Sequence, residues 1–426
     1  MKIDLEESPE TLAGKWSQRG GVFWLDDCSP SPGWSYVVPL SSATPLTPTS
    51  AKGASLFQGE ERESPRGQSP WEMLEQVAQH PPYDGPSPFG RGLVGWLSYD
   101  LGRGVGWDSP SHHPDWPTTL WRVEGVFAHH PQEGWHWTGS GDPPPIPPPV
   151  HEVAPSLVSG QLAVASDDRS WHRGAVEGIK ERIMAGEMYE ANLTFRLHGD
   201  AENPWELYRA FRKRSGSAYG AFFSGAGWAV GCGSPEMFLE GRGDRVCSEP
   251  MKGTASVGDD CLLEDPKERA ELAIVVDLVR DDFHRCCRVG TVQVGDVPTL
   301  RHLPTVVQSI ATIRGQLKEG VRPWEQVRAL LPSGSVTGAP RSTVVPHLDK
   351  AEKSPRGIYC GALGWFADGG DIGLALPIRT FLWKDGALEY GVGGGITWRS
   401  TPEREWKECQ TKAQALGSVL EGGIQW

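Results

Sequence analysis

The spacing of apolar residues predicts three helices in the second half of the chain. In 171–186, Val176, Ile179 and Ile183 fall on one face of a helix. A second helix is expected over 265–285. A third is expected over 402–420, because Thr401 can cap its first turn and Pro402 suits the first helical position.

A second pattern predicts strands. Residues 192–197 alternate between apolar and polar side chains, as a half-buried strand does. Short apolar runs at 361–366, 372–376, 380–383 and 388–391 are separated by turn residues. Since strands joined by short turns pair antiparallel, we expect an α+β fold with a two-lobed antiparallel β-sheet core and flanking helices, rather than a doubly wound parallel sheet.

Length and proline content suggest how the chain is divided. A chain of 426 residues exceeds the size at which single cores usually split, so two domains or one large two-lobed unit are expected. The proline-rich run at 143–149 favours extended backbone and predicts a boundary between an N-terminal region, 1–150, and a C-terminal region, 151–426. The Ser/Pro/Gly-rich residues 42–70 predict a loop.

Composition argues against several classes of protein. The formal net charge is -13, whereas a nucleic-acid-binding surface is basic, so no nucleic-acid partner is expected. The acidic start of the chain lacks the apolar segment of a signal peptide, and no run of about 18 apolar residues occurs, so no membrane partner is expected. The eight cysteines include no Cys-x-x-Cys pair, so we expect free thiols and a cytoplasmic location.

Two glutamate pairs lie on predicted helices. Glu268 and Glu271 are in the second helix, and Glu405 and Glu408 are in the third. Side chains at i and i+3 leave a helix on the same face, so the two faces together would offer four carboxylates. Oxygen ligands of this kind suit Mg²⁺. Taken alone, the pairs fit a solvated helix face better than a metal site.

Other polar residues fit either a binding site or an ordinary structural role. Adjacent glycines at 393–395 permit close approach of the backbone to an anion, or a tight turn. The hydroxyl-rich loop 333–340 can bind a polar ligand or cap a helix. Arg379 lies among apolar residues and needs a carboxylate partner, either internal or from a ligand. Lys252 suits a surface turn, or a nucleophile buried beside an acid.

These features occur in a fixed order with several further motifs. The segments are Gly-Ser-Pro-Glu-Met-Phe-Leu at 233–239, Arg-Ala-Glu at 269–271, 276–280, 334–340, 359–364, 378–380, 391–396 and 405–412, with a shorter one upstream at 95–103. Together they resemble the chorismate-utilising enzymes, the family of anthranilate synthase component I, aminodeoxychorismate synthase component I and isochorismate synthase. The resemblance implies a fold like that of anthranilate synthase component I.

The resemblance implies a role for each matching residue. Glu271 and Glu408, supported by Glu268 and Glu405, would hold Mg²⁺ against the ring carboxylate of chorismate. Glu236 would be the general acid/base at the departing 4-hydroxyl. The implied substrate-binding residues are Thr254, Thr337, Tyr359, Arg379, Gly393, Gly394 and Lys412.

Lys252 distinguishes branches within the family. The segment 250–254 is similar to aminodeoxychorismate synthase component I, whereas anthranilate synthases carry alanine at the position of Lys252. The lysine amine would attack C2 and expel the 4-hydroxyl, and ammonia would then attack C4 and expel the lysine. The implied product is 4-amino-4-deoxychorismate, used for 4-aminobenzoate and folate synthesis.

The resemblance also implies a partner. The chain contains no candidate glutaminase segment, so ammonia is expected from a separate glutamine amidotransferase subunit. Two other functions remain open: anthranilate synthase component I, and a non-catalytic chorismate-binding partner. Glu190 departs from the family, whose amino-transferring members carry glutamine there and whose isochorismate synthases carry a lysine base. It is either a base or a tolerated replacement.

Overall fold

The computed structural model describes residues 1–27, 33–46, 69–103, 117–148, 157–256, 266–295, 299–302 and 306–426. Its helices are α1 (Pro9–Ser17), α2 (Pro70–Gln79), α3 (Tyr99–Arg103), α4 (Asp168–Met184), α5 (Pro204–Ser215), α6 (Pro266–Cys286), α7 (Pro323–Leu330), α8 (Gly334–Thr337), α9 (Arg341–Ala351) and α10 (Pro402–Gly417). The early strands are β1 (Val22–Asp26), β2 (Ser35–Pro39), β3 (Ala43–Leu46), β4 (Gly92–Leu97), β5 (Thr119–Val123), β6 (Phe127–His130), β7 (Gly134–Trp137) and β8 (Gly160–Ala163).

The later strands complete the sheets. They are β9 (Glu190–Ala201), β10 (Tyr219–Gly225), β11 (Trp228–Ser234), β12 (Met237–Arg242), β13 (Arg245–Glu249), β14 (Met251–Ser256), β15 (Gln293–Val294), β16 (Thr299–His302), β17 (Val306–Ile310), β18 (Ile313–Gln316), β19 (Gly338–Ala339), β20 (Ala362–Ala367), β21 (Ile372–Ala375), β22 (Thr380–Lys384), β23 (Ala387–Ile396) and β24 (Ile424–Gln425).

Two large sheets form the core of the fold. The first has the order β24-β8-β9-β23-β22-β11-β10-β1-β2-β6-β7, and the second β15-β18-β13-β12-β21-β20-β4-β5-β3. A smaller sheet has the order β14-β17-β16. Strands from before and after the proline-rich run at 143–149 belong to both large sheets, so the two predicted regions share their sheets.

The large sheets pack face to face, with helices on their outer faces. Aromatic side chains from both sheets fill the space between them, including Phe23 and Trp228 of the first sheet and Trp96 and Trp121 of the second. Apolar faces of α1, α5 and α10 cover the first sheet, and those of α2, α6 and α7 cover the second. This burial is the main source of stability, at about 25 cal/mol per Å² of apolar surface.

The predicted α+β class is confirmed. The helices expected over 171–186, 265–285 and 402–420 correspond to α4, α6 and α10. The Thr401 side chain accepts a hydrogen bond from the Arg404 backbone N–H and so caps α10 as predicted. The predicted strands correspond to β9, β20, β21, β22 and β23, with ends that differ by a few residues, and each pairs antiparallel with its sheet neighbours.

Other predictions need adjustment. The predicted loop 42–70 contains β3, which pairs with β5, while residues 47–68 lie outside the described part.

The six cysteines of the described residues are free thiols, as predicted. Within the described ranges, no helix is both long and apolar enough to cross a bilayer.

Two of the places where the chain crosses between the two large sheets lie side by side. One crossing joins β11 to β12 through Pro235 and Glu236, and the other joins β21 to β22 through residues 376–379. Hydrogen bonds fasten the crossings together. The Gly233 N–H donates to the Arg379 carbonyl (3.0 Å), and the Leu376 N–H donates to the Glu236 carbonyl (3.1 Å).

A buried arginine ties the surrounding segments together. The Arg356 guanidinium, 1% exposed, is paired with the Glu352 carboxylate (2.6 Å). It also donates to the carbonyls of Val336 (2.6 Å) and Asn192 (2.7 Å) and stacks over the Tyr99 ring. Arg356 therefore links α8, β9 and the N-terminal α3.

We predict that Arg356→Ala lowers the free energy of unfolding by about 3–5 kcal/mol, because it leaves a buried carboxylate without its ion-pair partner. Arg173, whose side chain is 59% exposed in its ion pair with Glu403, provides the control. Arg173→Ala should cost less than about 1 kcal/mol. Chemical denaturation measures both, and equal losses would contradict the role given to Arg356.

Candidate active site

A cavity of about 330 Å³ opens beside the two crossings. It is bounded by the crossings, by the last part of β23, and by side chains from β14, α6 and α10. The predicted site residues in its lining are Glu236, Lys252, Glu271, Tyr359, Arg379, Gly393, Glu408 and Lys412. Residues far apart in the sequence therefore meet in one space large enough for a small ring compound.

Glu236 is held in the first crossing by the motif that surrounds it. The Ser234 hydroxyl donates to the Leu376 carbonyl (2.6 Å) and accepts a hydrogen bond from the Glu236 N–H (3.1 Å). The Ser335 hydroxyl donates to Glu236 Oε1 (2.7 Å). Burial raises the pKa of the Glu236 carboxyl to about 7, and the Ser335 hydrogen bond partly opposes this rise. Glu236 can therefore donate a proton near neutral pH.

Lys252 lies in the cavity wall and not at a surface turn. Its Nζ forms an ion pair with Glu190 Oε1, and only 10% of the Lys252 side chain and 1% of the Glu190 side chain are exposed. Burial by itself lowers the pKa of the Lys252 ammonium, but the negative charges of Glu190, Glu271 and Glu236 outweigh burial and raise it. The amine is therefore a buried cation among carboxylates.

Arg379 and Tyr359 form another part of the wall. Arg379 has a φ of 48°, an uncommon backbone conformation for a residue with a side chain. Burial lowers the pKa of its guanidinium. No salt bridge joins Arg379 to any carboxylate in the described residues. A cationic side chain in this state suits an anionic ligand. The Tyr359 ring is buried under the Arg196 guanidinium, 5.2 Å from its centroid.

The glycine-rich segment is part of a strand and not a turn after it. β23 continues to Ile396 and pairs with β9, with Gly393 opposite Thr194. The glycines leave room for neighbouring side chains: a Cβ on Gly391 would lie 2.6 Å from the Tyr359 ring. The Gly393 carbonyl accepts a hydrogen bond from Lys412 Nζ (2.9 Å).

Carboxylates gather at one end of the cavity. A Cβ on Gly394 would lie 3.6 Å from an oxygen of each of Glu405 and Glu408, so these two carboxylates converge there. Glu271 lines the same cavity, and Lys412 is paired with Glu408 (2.7 Å). Among the described residues, no group of three His, Cys, Asp or Glu side chains is close enough to enclose a metal ion. Mg²⁺ commonly uses one or two protein carboxylates, with waters and substrate oxygens completing its shell, so the donors present fit Mg²⁺.

Some predicted residues are placed differently. Thr337 is fully buried outside the cavity lining, and its hydroxyl donates to the Ser333 carbonyl (2.8 Å). Glu405 and Gly394 lie next to the lining without belonging to it. The side chains of Thr254 and Glu268 lie outside the described part of the chain. The roles predicted for these residues stay predictions.

Two features of the site were not predicted. Ser335 reaches Glu236 from 99 residues away, and only the abundance of hydroxyls in 333–340 hinted at such a contact. The ion pair between Glu190 and Lys252 joins residues 62 apart. Its only signal in the sequence was the departure of Glu190 from the family pattern.

Comparison with known proteins places this site in a family. Residues 37–418 match the family of chorismate binding enzymes, and the chain belongs to it. An aminodeoxychorismate synthase from Streptomyces griseus is 36% identical over 373 residues, which cover 79% of this chain and 51% of that protein. The chain thus spans about half the length of this relative. Anthranilate synthase component 1 from Thermus thermophilus is 32% identical, over 78% of each chain.

Solved structures agree on the fold. Anthranilate synthase component I from Streptococcus pneumoniae superposes with a TM-score of 0.72 over 97% of this chain and 94% of its own, at 23% identity. The isochorismate synthase MenF from Escherichia coli superposes with a TM-score of 0.70 over 98% of this chain and 92% of its own, at 17% identity. The expected fold, like that of anthranilate synthase component I, is confirmed.

We predict that Ser335→Ala raises the pKa of the Glu236 carboxyl above about 7, because it removes the hydrogen bond that stabilises the charged form. Infrared difference spectra recorded across pH 5 to 9 would follow the carboxyl band, with Glu236→Gln identifying it. Ser418→Ala, at an exposed hydroxyl on α10's C-cap, is the control and should leave the band unchanged. A pKa that stays in place or falls in Ser335→Ala would contradict this assignment.

Proposed function

We propose that this chain is the chorismate-aminating component of an aminodeoxychorismate synthase. It would convert chorismate and ammonia to 4-amino-4-deoxychorismate and water. The observation that carries the proposal is the position of Lys252: its amine lines the same cavity as Glu236 and Arg379. A nucleophile, a proton donor and an anion-binding cation are the three groups that the reaction needs.

Binding of the substrate would rest on charge. Chorismate carries two carboxylates, and Arg379 would pair with the enolpyruvyl one, together with Tyr359. Lys412 and Gly393, which a hydrogen bond joins, line the same cavity. The resulting pairs are charge-assisted and shielded from water, so they would also fix the orientation of the ring.

The glutamates of α6 and α10 would hold Mg²⁺. Glu271 and Glu408 would bind it directly, with Glu405 and Glu268 in support. When bound, the metal would neutralise the ring carboxylate and balance the negative charge of the glutamates.

The chemistry would proceed in two displacements. The Lys252 amine attacks C2, the ring double bonds shift, and the 4-hydroxyl leaves as water with the proton of Glu236. Ammonia then attacks C4, and the bond between C2 and Lys252 breaks. The lysine would direct nitrogen to C4, because the second displacement reverses the allylic shift of the first.

Ammonia would come from a glutamine amidotransferase subunit, and the product would serve 4-aminobenzoate and folate synthesis in the cytoplasm. Two relatives, aminodeoxychorismate synthase from Streptomyces griseus and aminodeoxychorismate synthase component 1 from Bacillus subtilis, support this direction. Anthranilate synthase component I is the second candidate, favoured by the Thermus thermophilus relative. A non-catalytic role is disfavoured because Glu236, Lys252 and Arg379 converge.

One assay separates the candidates. The protein is incubated with chorismate, MgCl₂ and an ammonium salt, and an aminodeoxychorismate lyase is then added. Formation of 4-aminobenzoate that depends on the lyase supports the proposal. Anthranilate formed without the lyase would contradict it.

We predict that Lys252→Ala lowers kcat in this assay at least about 100-fold, because covalent catalysis is lost. Lys350→Ala, at an exposed position near the end of α9, is the matched control and should keep full activity. A Lys252→Ala enzyme that still makes 4-amino-4-deoxychorismate at the normal rate would remove the covalent route.

We predict that Arg379→Gln raises the Kd and KM for chorismate about 10-fold to 150-fold. A hydrogen bond to a charged group contributes about 1.5–3 kcal/mol, which corresponds to that range. Isothermal titration gives Kd, and Arg399→Gln, an exposed change just after β23, serves as the control. Unchanged affinity for chorismate would show that Arg379 does not bind the substrate.

A further inference from the structure

Glu190 is the acidic residue that touches the proposed nucleophile. Its side chain is 1% exposed, at the start of β9, and Oε1 pairs with Lys252 Nζ. Its second oxygen, Oε2, is buried and has no hydrogen-bond partner among the described residues. Within those residues, the carboxylate therefore depends on Lys252 for the stabilisation of its charge.

The fold leaves space for this pair. A Cβ added to Gly395 would lie 2.5 Å from Glu190 Oε1 and 3.2 Å from Lys252 Nζ. No real side chain tolerates such contacts without moving the pair. The absence of a side chain at Gly395 thus explains how Glu190 and Lys252 can meet against β23, at the edge of the cavity.

The proposed reaction requires Lys252 to lose a proton. An ammonium has no lone pair and cannot attack C2. Burial lowers the pKa of this ammonium, but the charges of Glu190, Glu271 and Glu236 outweigh burial, and it is protonated at rest. Lys412 is the nearby cation that faces it from α10. A proton acceptor must therefore be present in the cavity wall or in water.

We propose that Glu190 is the catalytic base that takes this proton from Lys252, an inference that rests on the proposed function. Nucleophile and base lie within hydrogen-bonding reach, the arrangement that marks activated nucleophiles. Substrate binding would exclude water from the cavity. Without water, the charged pair of ammonium and carboxylate loses stability relative to the neutral pair of amine and carboxylic acid. The proton of Lys252 could then pass to the Glu190 carboxylate, whose Oε2 has no hydrogen-bond partner among the described residues.

Neither of the other carboxylates suits this task. Glu236 must hold a proton of its own to give to the departing hydroxyl, so it cannot accept one at the same step. Glu271 is assigned to Mg²⁺ in the proposed function. Glu190 is the carboxylate that the structure places in ion-pair contact with Nζ.

The protons given up and taken up balance over one turnover. Lys252 gives a proton to Glu190, and the neutral amine attacks C2 to form a secondary ammonium while the hydroxyl leaves as water with the Glu236 proton. Ammonia attacks C4, and Lys252 departs from C2 as a neutral amine. Lys252 then recovers its proton from Glu190, and Glu236 takes one from the new C4 ammonium.

The test is the rate of the first displacement, measured by stopped flow as loss of one equivalent of chorismate with Mg²⁺ and no ammonia. In the unmodified chain the proton moves from Lys252 to Glu190 within the pair, so the rate should not change with pH between about pH 5.5 and 6.5. Above about pH 7 the rate should fall tenfold per pH unit, because Glu236 loses the proton that the departing hydroxyl needs. If water were the acceptor, the rate would rise tenfold per unit on the acid side. A rate that rises in this way in the unmodified chain would overturn the proposal, and no variant is needed to observe it.

Glu190→Gln keeps the shape of the side chain and removes the base. We expect the rate at pH 6 to fall about 100-fold or more, with Kd for chorismate changed less than about threefold. Because solvent must then take the proton, the rate should rise tenfold per pH unit on the acid side and level off above about pH 7. A purely structural role for Glu190 would lower the rate without changing these slopes, which would overturn the proposal.

Gly395→Ala tests the same contact while keeping both groups. It should displace the pair and slow the displacement, whereas Gly174→Ala, with open space around its Cβ, should have no effect. Equal rates in the two variants would count against the proposal.

The proposed function and the base fail in different ways. If Lys252→Ala keeps activity, the nucleophile itself is wrong. If Lys252→Ala is inactive but Glu190→Gln keeps the normal rate and pH profile, only the base is wrong.

Discussion

Two neighbouring crossings between the large sheets hold two of the functional groups, Glu236 and Arg379, side by side. The Gly233 N–H to the Arg379 carbonyl and the Leu376 N–H to the Glu236 carbonyl lock the segments side by side. Each crossing is held in turn by a large sheet with an apolar core, so neither can shift without breaking a strand pair. Glu236 and Arg379 thus stand on segments that the hydrogen-bonded frame of the fold supports, as a preorganised site requires.

Burial and neighbouring charges together set the charge on the groups in the cavity. Burial raises the pKa of the Glu236 carboxyl to about 7, and Arg379 has no salt bridge to any described carboxylate. Lys252 stays charged because acidic neighbours outweigh burial. These three states are complementary to an anionic substrate that must lose a hydroxyl and accept an amine.

The sequence predicts best what is local. Helices α4, α6 and α10 follow from periodicity, and the Thr401 cap follows from one residue. The sequence alone leaves the glycine-rich end of β23 open between an anion-binding segment and a tight turn, because what makes it a strand is tertiary: the Tyr359 ring occupies the space beside Gly391. Family order brings together eight of the predicted residues that line the cavity, whereas Thr337 lies outside the lining and the contact between Ser335 and Glu236 depends on how distant segments pack.

The central claim is that Lys252 forms a bond to the substrate, and its most direct test is the mass of the chain. The protein is mixed with chorismate and Mg²⁺ without ammonia, quenched in acid, digested and analysed by tandem mass spectrometry. We expect the peptide containing Lys252 to gain the mass of chorismate less one water, on the lysine itself. An unmodified Lys252 peptide, from protein that converts chorismate when ammonia is added, would contradict it.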